Sequence, residues 1–496
     1  MSRLSEEYAS RKNKLTSALK NNINPYPART KRSKTIERVL VDFDSLIQSG
    51  NAQNNQHTLV GRIRTIRLHG GSCFAHIEDG TEKIQIYLKR DEIGVENYTN
   101  FKELIDIGDF IEVTGSLFKT KKGEKTLLVD SFTLLAKSLL PLPEKWHGLS
   151  DIEIRFRKRY LDLLSNTAVK DIFIKRSLLI KSIRKFLDED GFMEVETPIL
   201  QPIPGGANAK PFITHHNALD IDLYLRIAPE LYLKRLIIGG FEKVYEIARC
   251  FRNEGIDYNH NPEFTQVEIY AAYWDYKKMM KFTEELFEHS ITTIYKNTTI
   301  EYEGKKINFQ PPYQLITFQE ASKKYAKIDI DKIGAEGLSK AARDRGLDID
   351  KSYNTAKILD EIFKELIRPN LIQPTFVIDY PLELSPLAKK KEGNPKYVER
   401  FQLVAAGIEL CNAFSELNDP LDQAQRFKNQ EKMRQAGDEE AQRIDEDFIE
   451  ALAHGMPPTA GIGIGIDRLS ALLNNVHNIK EVILFPTLKP KKDYHE

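Results

Sequence analysis

Residues 251–268, FRNEGIDYNHNPEFTQVE, gather an arginine (Arg252), several carboxylates, a histidine (His260) and an aromatic (Phe264). Apolar, strand-like runs flank them: 244–247 (VYEI) leads in and 265–270 (TQVEIY) leads out. The middle is rich in Asn, Gly, Asp and Pro, which predicts a loop between antiparallel strands. Such a loop on a rigid sheet can hold a charged ligand. The planar fork of Arg252 suits a phosphate, because it makes paired, charge-assisted hydrogen bonds. Phe264 offers a face on which a base can stack. Charged loops are mostly plain surface, so the order of residue types has to carry the reading.

A second run, GIGIGIDRL (461–469), has GxGxG spacing followed directly by Asp467 and Arg468. That spacing is not the dinucleotide fingerprint. The glycines allow close backbone approach. Asp467 and Arg468 would open a helix whose N-terminal dipole and arginine both favour phosphate. Standing alone, the run would read first as a glycine-rich packing turn.

Elements must position these groups. Residues 1–55 read as a polar helix followed by a Pro- and Lys-rich connector (NPYPARTKRSK). Residues 56–140 are short β-rich runs separated by Gly-containing turns: TLVGRIRTIR, CFAHIED, KIQIYLK, DFIEVTGSLFKT and KTLLVDSFTLL, with a helix-like insert at 97–105. Five strands suggest a small barrel, and an OB-fold fits; strand count alone leaves other small barrels and sandwiches open. A linker is expected at 141–155 (LPLPEKWHG lies at 140–148). Beyond it, 155–164 and 170–187 read as helices, the second with Leu179, Ile183, Phe186 and Leu187 on one face. Gly191 ends that helix, and 193–200 (MEVETPIL) reads as a strand ended near Pro198. Residues 310–370 read as a helical insertion, and 374–381 (PTFVIDYP) as a strand.

The chain has 496 residues, too many for one core, so roughly two or three domains are expected. Lys plus Arg and Asp plus Glu each number 72, giving zero formal charge. Any nucleic-acid contact must therefore rest on local patches. Three widely spaced cysteines (Cys73, Cys250, Cys411) form no CxxC pair, which argues against structural zinc and a disulfide framework. No apolar leader and no run of about 18 apolar residues is present. A soluble, cytoplasmic protein without membrane contact is expected.

The order Arg-x-Glu, then His-x-Pro-Glu-Phe, then a strand resembles motif 2 of the class II aminoacyl-tRNA synthetases. GIGIGIDRL is similar to their motif 3, with Arg468 as its arginine. GFMEVETPIL (191–200) resembles motif 1, the dimer interface of that class. IPGGANAKPF (203–212), RIAPELYLKR (226–235), the 251–265 run and NAFSELNDP (412–420) together resemble the class II lysyl-tRNA synthetases. The likeness covers essentially the whole chain. It implies an α+β protein: an N-terminal OB-fold for the anticodon (56–140), then a catalytic domain (156–496) built on an antiparallel sheet flanked by helices.

The resemblance implies roles residue by residue. Glu230 and the backbone near Gly206 would hold the α-ammonium of L-lysine; Glu268, Tyr270 and Glu416 would hold its side-chain ammonium. Grouped carboxylates repel unless a cation joins them. A pocket where Glu230, Glu268 and Glu416 converge therefore asks for a substrate with two ammonium groups. Taken singly, each would be a solvated or salt-bridged glutamate. Arg252 would contact the lysine carboxylate and the ATP α-phosphate, Asn412 would orient the substrate and Phe414 would line the pocket. Phe264 would stack on adenine, Glu254 would accept from its amino group, and His260 and Arg468 would meet the outer phosphates. Two magnesium-binding glutamates seven residues apart are usual in the family. Here the second is Glu409 and the first position is Gln402, a weaker Mg2+ ligand. In the barrel, Arg67, Phe74, Gln85 and Glu124 match anticodon-reading positions. Activation of lysine with ATP, transfer to tRNA(Lys), a homodimer and a cytoplasmic location complete the expectation.

Overall fold

The computed structural model describes residues 3–48, 56–143, 151–350, 353–435 and 440–490. Residues 144–150 of the expected linker and 49–55 of the N-terminal extension lie outside the described residues. The chain divides into two compact units, Met1–Ser150 and Asp151–Glu496.

Period-2 alternation builds the first unit. Strands β1 (Gln56–His69), β2 (Ser72–Glu78), β3 (Lys83–Lys89), β4 (Phe110–Lys119) and β5 (Lys125–Ala136) close into a barrel in the order β1-β2-β3-β5-β4. Every pairing is antiparallel except β3 with β5. Alternate residues such as Cys73, Ala75 and Ile77, or Ile84, Ile86 and Leu88, fill the interior, while their neighbours face outward. The insert expected at 97–105 is the Val95–Leu104 helix, which sends Tyr98 and Phe101 into the same core. The Ile36–Val41 and Phe43–Gln48 helices contribute Ile36, Val39 and Phe43 to it as well. The second half of the N-terminal extension is thus part of the barrel domain, not a tail outside it.

The second unit is organised by a sheet. Its strands begin with β6 (Met193–Glu194), β7 (Leu200–Gln201), β8 (Ile213–His216), β9 (Ile221–Leu225), β10 (Lys243–Phe251) and β11 (Glu263–Ala272). They continue with β12 (Thr299–Tyr302), β13 (Lys305–Asn308), β14 (Gln314–Thr317), β15 (Thr375–Pro381), β16 (Tyr397–Ala405), β17 (Ile408–Ser415) and β18 (Thr459–Gly465). Eight of them form one sheet in the order β14-β15-β16-β17-β18-β11-β10-β6. The six central strands are antiparallel; the outermost pair at each edge is parallel, so the sheet is mixed rather than wholly antiparallel. Strands β7, β9 and β8 make a separate small sheet, and β12 and β13 a hairpin.

One face of the large sheet is apolar. Val267, Ile269, Phe401, Leu403, Ile462 and Ile464 pack there against the Thr167–Glu189, Tyr276–Tyr295 and Ile466–Leu473 helices. By alternation the opposite face carries Glu268, Tyr270, Asn412 and Phe414.

Three expectations change. MEVETPIL is not one strand: only Met193–Glu194 pair with β10, the chain then leaves the sheet, and Leu200–Gln201 pair with β9. The helix read at 155–164 breaks into Ile152–Arg157 and Arg159–Ser165, because buried Arg159 turns to donate to the carbonyls of Lys480 and Leu484. Residues 310–370 open with β14, an edge strand of the main sheet, before turning helical. Their Ile358, Ile362 and Phe363 share a core with Val377 and Tyr380 of β15 and Val404 of β16, so the segment is built into the domain.

Candidate active site

Register places the site. β18 lies between β11 and β17, with Gly461 opposite both Tyr270 and Phe414, and Gly463 opposite both Glu268 and Asn412. A strand without side chains on this face leaves a trough between two strands that carry them. The fit is tight: a Cβ on Gly461 would stand 2.2 Å from Glu416 Oε1 and 2.5 Å from Tyr270 Cε1. The glycine-rich run is therefore a strand and the floor of the pocket. The helix expected after it is present as Ile466–Leu473.

One wall is the Glu230–Ile238 helix, which begins after Pro229 and ends at Gly239. A spacing of four sets Lys234 over Glu230 on its inward face. Lys234 Nζ stands 2.6 Å from Glu230 Oε1 and also pairs with Glu416 Oε2. All three side chains are buried. Gly206 adopts φ +88° against this helix, and a Cβ there would meet the Glu230 Cβ at 2.9 Å. Only a residue tolerant of positive φ and lacking a side chain brings the backbone this close.

Glu268 completes the group. Its Oε1 accepts from Gln266 Nε2 at 2.6 Å and its Oε2 from the Tyr270 hydroxyl at 3.1 Å. Burial, and then the nearby Glu230, push the Glu268 carboxyl up to about 8. Burial also raises Glu230 and Glu416, outweighing the lowering effect of the Lys234 ammonium they share. Burial works against the Lys234 ammonium, yet Glu230 and Glu416 outweigh it and hold it charged. Three carboxylates facing one ammonium leave two negative charges, which protons or a ligand's cations must balance.

Asn412 accepts from Arg400 Nε at 2.8 Å through Oδ1. Arginine only donates, so the amide is oriented and its N–H groups remain for an acceptor. Phe414 stands 5.4 Å, ring centre to Nζ, from Lys234.

Toward the 251–268 loop the chemistry changes sign. The strands run further than VYEI and TQVEIY, and the hairpin closes with Phe251 opposite Glu263. Arg252 lies over the Phe264 ring at 5.0 Å, and its buried Nε has no hydrogen-bond partner. His260 Nδ1 stands 2.8 Å from Asp257, and its Nε2 3.4 Å from Arg468 Nη2. Arg468 also approaches Glu409 at 3.7 Å. Asp467, 2.5 Å from Arg176, accepts the Thr265 backbone N–H at 3.1 Å and so ties the Ile466–Leu473 helix to β11. Glu254 is exposed on the loop. Three of the basic groups expected at an anionic ligand (Arg252, His260 and Arg468) thus lie on this loop and on the helix that β11 anchors.

Among the described residues no three His, Cys, Asp or Glu side chains gather as a metal site. Gln402 is buried on the pocket face opposite Asn412, and its carbonyl oxygen has no partner. One carboxylate (Glu409) and one free carbonyl oxygen (Gln402) suit a hard cation that also takes phosphate oxygens.

On the barrel's outer face, Phe74 stacks on Tyr87 with ring centres 4.4 Å apart. Arg67 pairs with Phe74 across β1 and β2 and is exposed. Gln85 donates to Glu124 at 2.8 Å. Lys234, Gln266, Arg400, His76 and Tyr87 join these sites without a sequence motif that marks them. The signal for the last two was the alternation that put them beside Phe74 and Gln85.

A closed five-stranded barrel, joined in sequence to a six-strand antiparallel core with a basic hairpin loop and a glycine-floored acidic pocket, is the plan of a class II tRNA synthetase. The family described as tRNA synthetases class II (D, K and N) matches residues 151–489, and the OB-fold nucleic acid binding domain matches 57–135. The chain is 52% identical to a lysine–tRNA ligase of Pelotomaculum thermopropionicum, over 99% of this chain and 96% of that protein. It is 53% identical to one of Thermoanaerobacter sp. strain X514 (92% of each) and 50% identical to one of Clostridium tetani (93% and 91%). The chain belongs to the class II tRNA synthetases and, within them, to the lysine–tRNA ligase family.

Proposed function

We propose that the second unit activates L-lysine with ATP and that the lysyl group then passes to the 3′-terminal adenosine of tRNA(Lys). The observation that carries the choice of amino acid is the buried group Glu230, Lys234, Glu416 and Glu268. It sets three carboxyl groups against the single Lys234 ammonium, and lysine brings two ammonium groups. Glu230, beside the Gly206 backbone, takes the α-ammonium. Glu268, Tyr270 and Glu416 take the side-chain ammonium, while Asn412 offers its N–H groups to the carboxylate and Phe414 flanks the chain. An aspartate or asparagine side chain would bring no second cation.

In the first step a lysine carboxylate oxygen attacks the α-phosphorus of ATP. The bond to the bridging oxygen breaks and pyrophosphate leaves. Arg252, whose Nε has no internal partner, holds the carboxylate and the α-phosphate together. Arg468 and His260 take the outer phosphates, with Phe264 and Glu254 at the adenine. In the second step the tRNA hydroxyl attacks the lysyl carbonyl and AMP leaves. No enzyme nucleophile is used: the nearby Cys250 thiol is buried and pushed up to about 12. Mg2+, when bound, would be held by Glu409 and the Gln402 carbonyl oxygen and would screen the phosphate charges. All other assistance is positioning and electrostatic stabilisation by the chain's own residues.

The barrel reads the anticodon at the face formed by Arg67, Phe74, Gln85 and Glu124, where Phe74 offers a stacking surface and the Gln85 amide, held by Glu124, offers base-edge hydrogen bonds. Exposed Met193, Leu200, Ile213 and Ile221 support a homodimer through the β6–β9 region. Unbridged cysteines and the absence of a membrane-spanning helix among the described residues are consistent with the cytoplasm. Arg252→Ala should lower lysine-dependent ATP–pyrophosphate exchange by about a thousandfold; near-normal exchange would sink this assignment.

A further inference from the structure

The barrel face holds a hydrogen-bonded relay of five side chains. Thr65 Oγ1 lies 2.8 Å from His76 Nδ1, and His76 Nε2 lies 3.0 Å from Glu124 Oε1. Glu124 Oε2 accepts from Gln85 Nε2 at 2.8 Å. On its other side Gln85 Oε1 meets Thr126 Oγ1 at 2.8 Å, and that hydroxyl also reaches the Glu124 backbone carbonyl at 3.1 Å.

A glutamine amide can rotate by half a turn, exchanging its donor and acceptor. Thr126 does not oppose the exchange, since its hydroxyl can donate to the Glu124 carbonyl and accept from Nε2. Glu124 does oppose it. A carboxylate only accepts, so the rotated amide would set two acceptor oxygens 2.8 Å apart. His76 offers the second carboxylate oxygen an N–H in either charge state, which holds Glu124 in place.

We propose that His76 and Glu124 are positioning residues that lock the Gln85 amide in one sense, so that it reads uracil and rejects cytosine. The proposal rests on the barrel being the anticodon reader. Each Gln85 amide atom keeps one further valence: a second N–H on Nε2 and a second lone pair on Oε1. In the locked sense these fit uracil, with Nε2–H to O4 and Oε1 accepting N3–H. Cytosine reverses both positions and would meet donor with donor and acceptor with acceptor. An unlocked amide could turn and accept either base. Lysine codons begin with two adenines, so a lysine-specific reader must separate uracil from cytosine.

The experiment uses the full chain and tRNA(Lys) transcripts with each anticodon uridine changed singly to cytidine. The quantity read is the ratio of kcat/KM for the uridine and cytidine transcripts, which is independent of the active fraction. Wild type is expected to prefer uridine by roughly ten- to hundredfold at the position Gln85 reads. Glu124→Gln, which can present either a donor or an acceptor, and His76→Ala should each bring that ratio toward unity at the same position. Loss in Glu124→Gln with a full ratio in His76→Ala would overturn the relay, since Glu124 would then act on the base directly. Full ratios in both variants would overturn the lock. No uridine preference in wild type at any position would overturn the anticodon reading itself, and the lock with it.

Discussion

Glu268, the proposed partner of the lysine side-chain ammonium, is also placed to store a proton. Its carboxyl is raised from 4.5 to about 8, chiefly by burial. At pH 7 most of the free protein therefore carries a proton there, and an ammonium ligand must displace it. Lysine binding near pH 7 should release protons, seen in calorimetry as a dependence of the binding heat on the buffer's ionisation enthalpy. Glu268→Gln should reduce that release and weaken lysine binding; equal release would remove Glu268 from the pocket. The sign for stability follows from the same shift. The folded state binds the proton more tightly, so the contribution is complete below about 4.5 and is lost as pH rises through about 8. Wild type should lose stability relative to Glu268→Gln across that window, by about 1.4 kcal/mol per pH unit at the steepest. The three pocket glutamates were legible only through family likeness, because a glutamate's type does not reveal its burial. Lys234 was harder. Its spacing from Glu230 is that of any exposed helix pair, and only the sheet beneath turns that pair inward.

At the scale of elements, the informative piece is a strand defined by what it lacks. Gly461, Gly463 and Gly465 give β18 its flat face between β11 and β17, while Ile462 and Ile464 anchor it from below. The glycine run could be read from the sequence; its role could not, since GxGxG suits a phosphate loop equally well until the register is known. The same limit explains the helix split at Lys158 and the strand hidden in 310–370, where tertiary partners override local pattern. The two glycines are not equivalent. Gly461→Ala would drive a methyl into Glu416 and Tyr270, whereas the nearest side-chain atom to a Cβ at Gly463 is Glu268 Cγ at 3.8 Å, an ordinary contact. Gly461→Ala should raise the KM for lysine roughly tenfold or more, a loss of about 1.4 kcal/mol or more if KM tracks binding. Gly463→Ala should raise it far less. Equal effects in steady-state kinetics would contradict this packing.

At the scale of the molecule, a chain with zero formal charge must bind a polyanion. Bulk attraction is absent, so recognition has to come from local contacts, and these are divided between two units with separate cores. The residues proposed for adenylate formation belong to the second unit: Glu230, Arg252, Glu268, Glu409 and Arg468 all follow Asp151. The proposed base-stacking surface, Phe74 on Tyr87, belongs to the first unit. A lesion there should separate the two half-reactions. Stacking on an aromatic is worth about 1–3 kcal/mol per base, so Phe74→Ala should lower kcat/KM for tRNA charging by roughly ten- to hundredfold. Lysine-dependent ATP–pyrophosphate exchange, which needs no tRNA, should stay close to wild type. The loss should appear chiefly in the KM for tRNA, because the stacked base is far in sequence from the reacting 3′ end and its contact is present in ground and transition states alike. If charging and exchange fell together, Phe74 would be acting on the fold of the whole chain, and the assignment of the barrel to the anticodon would lose its main residue.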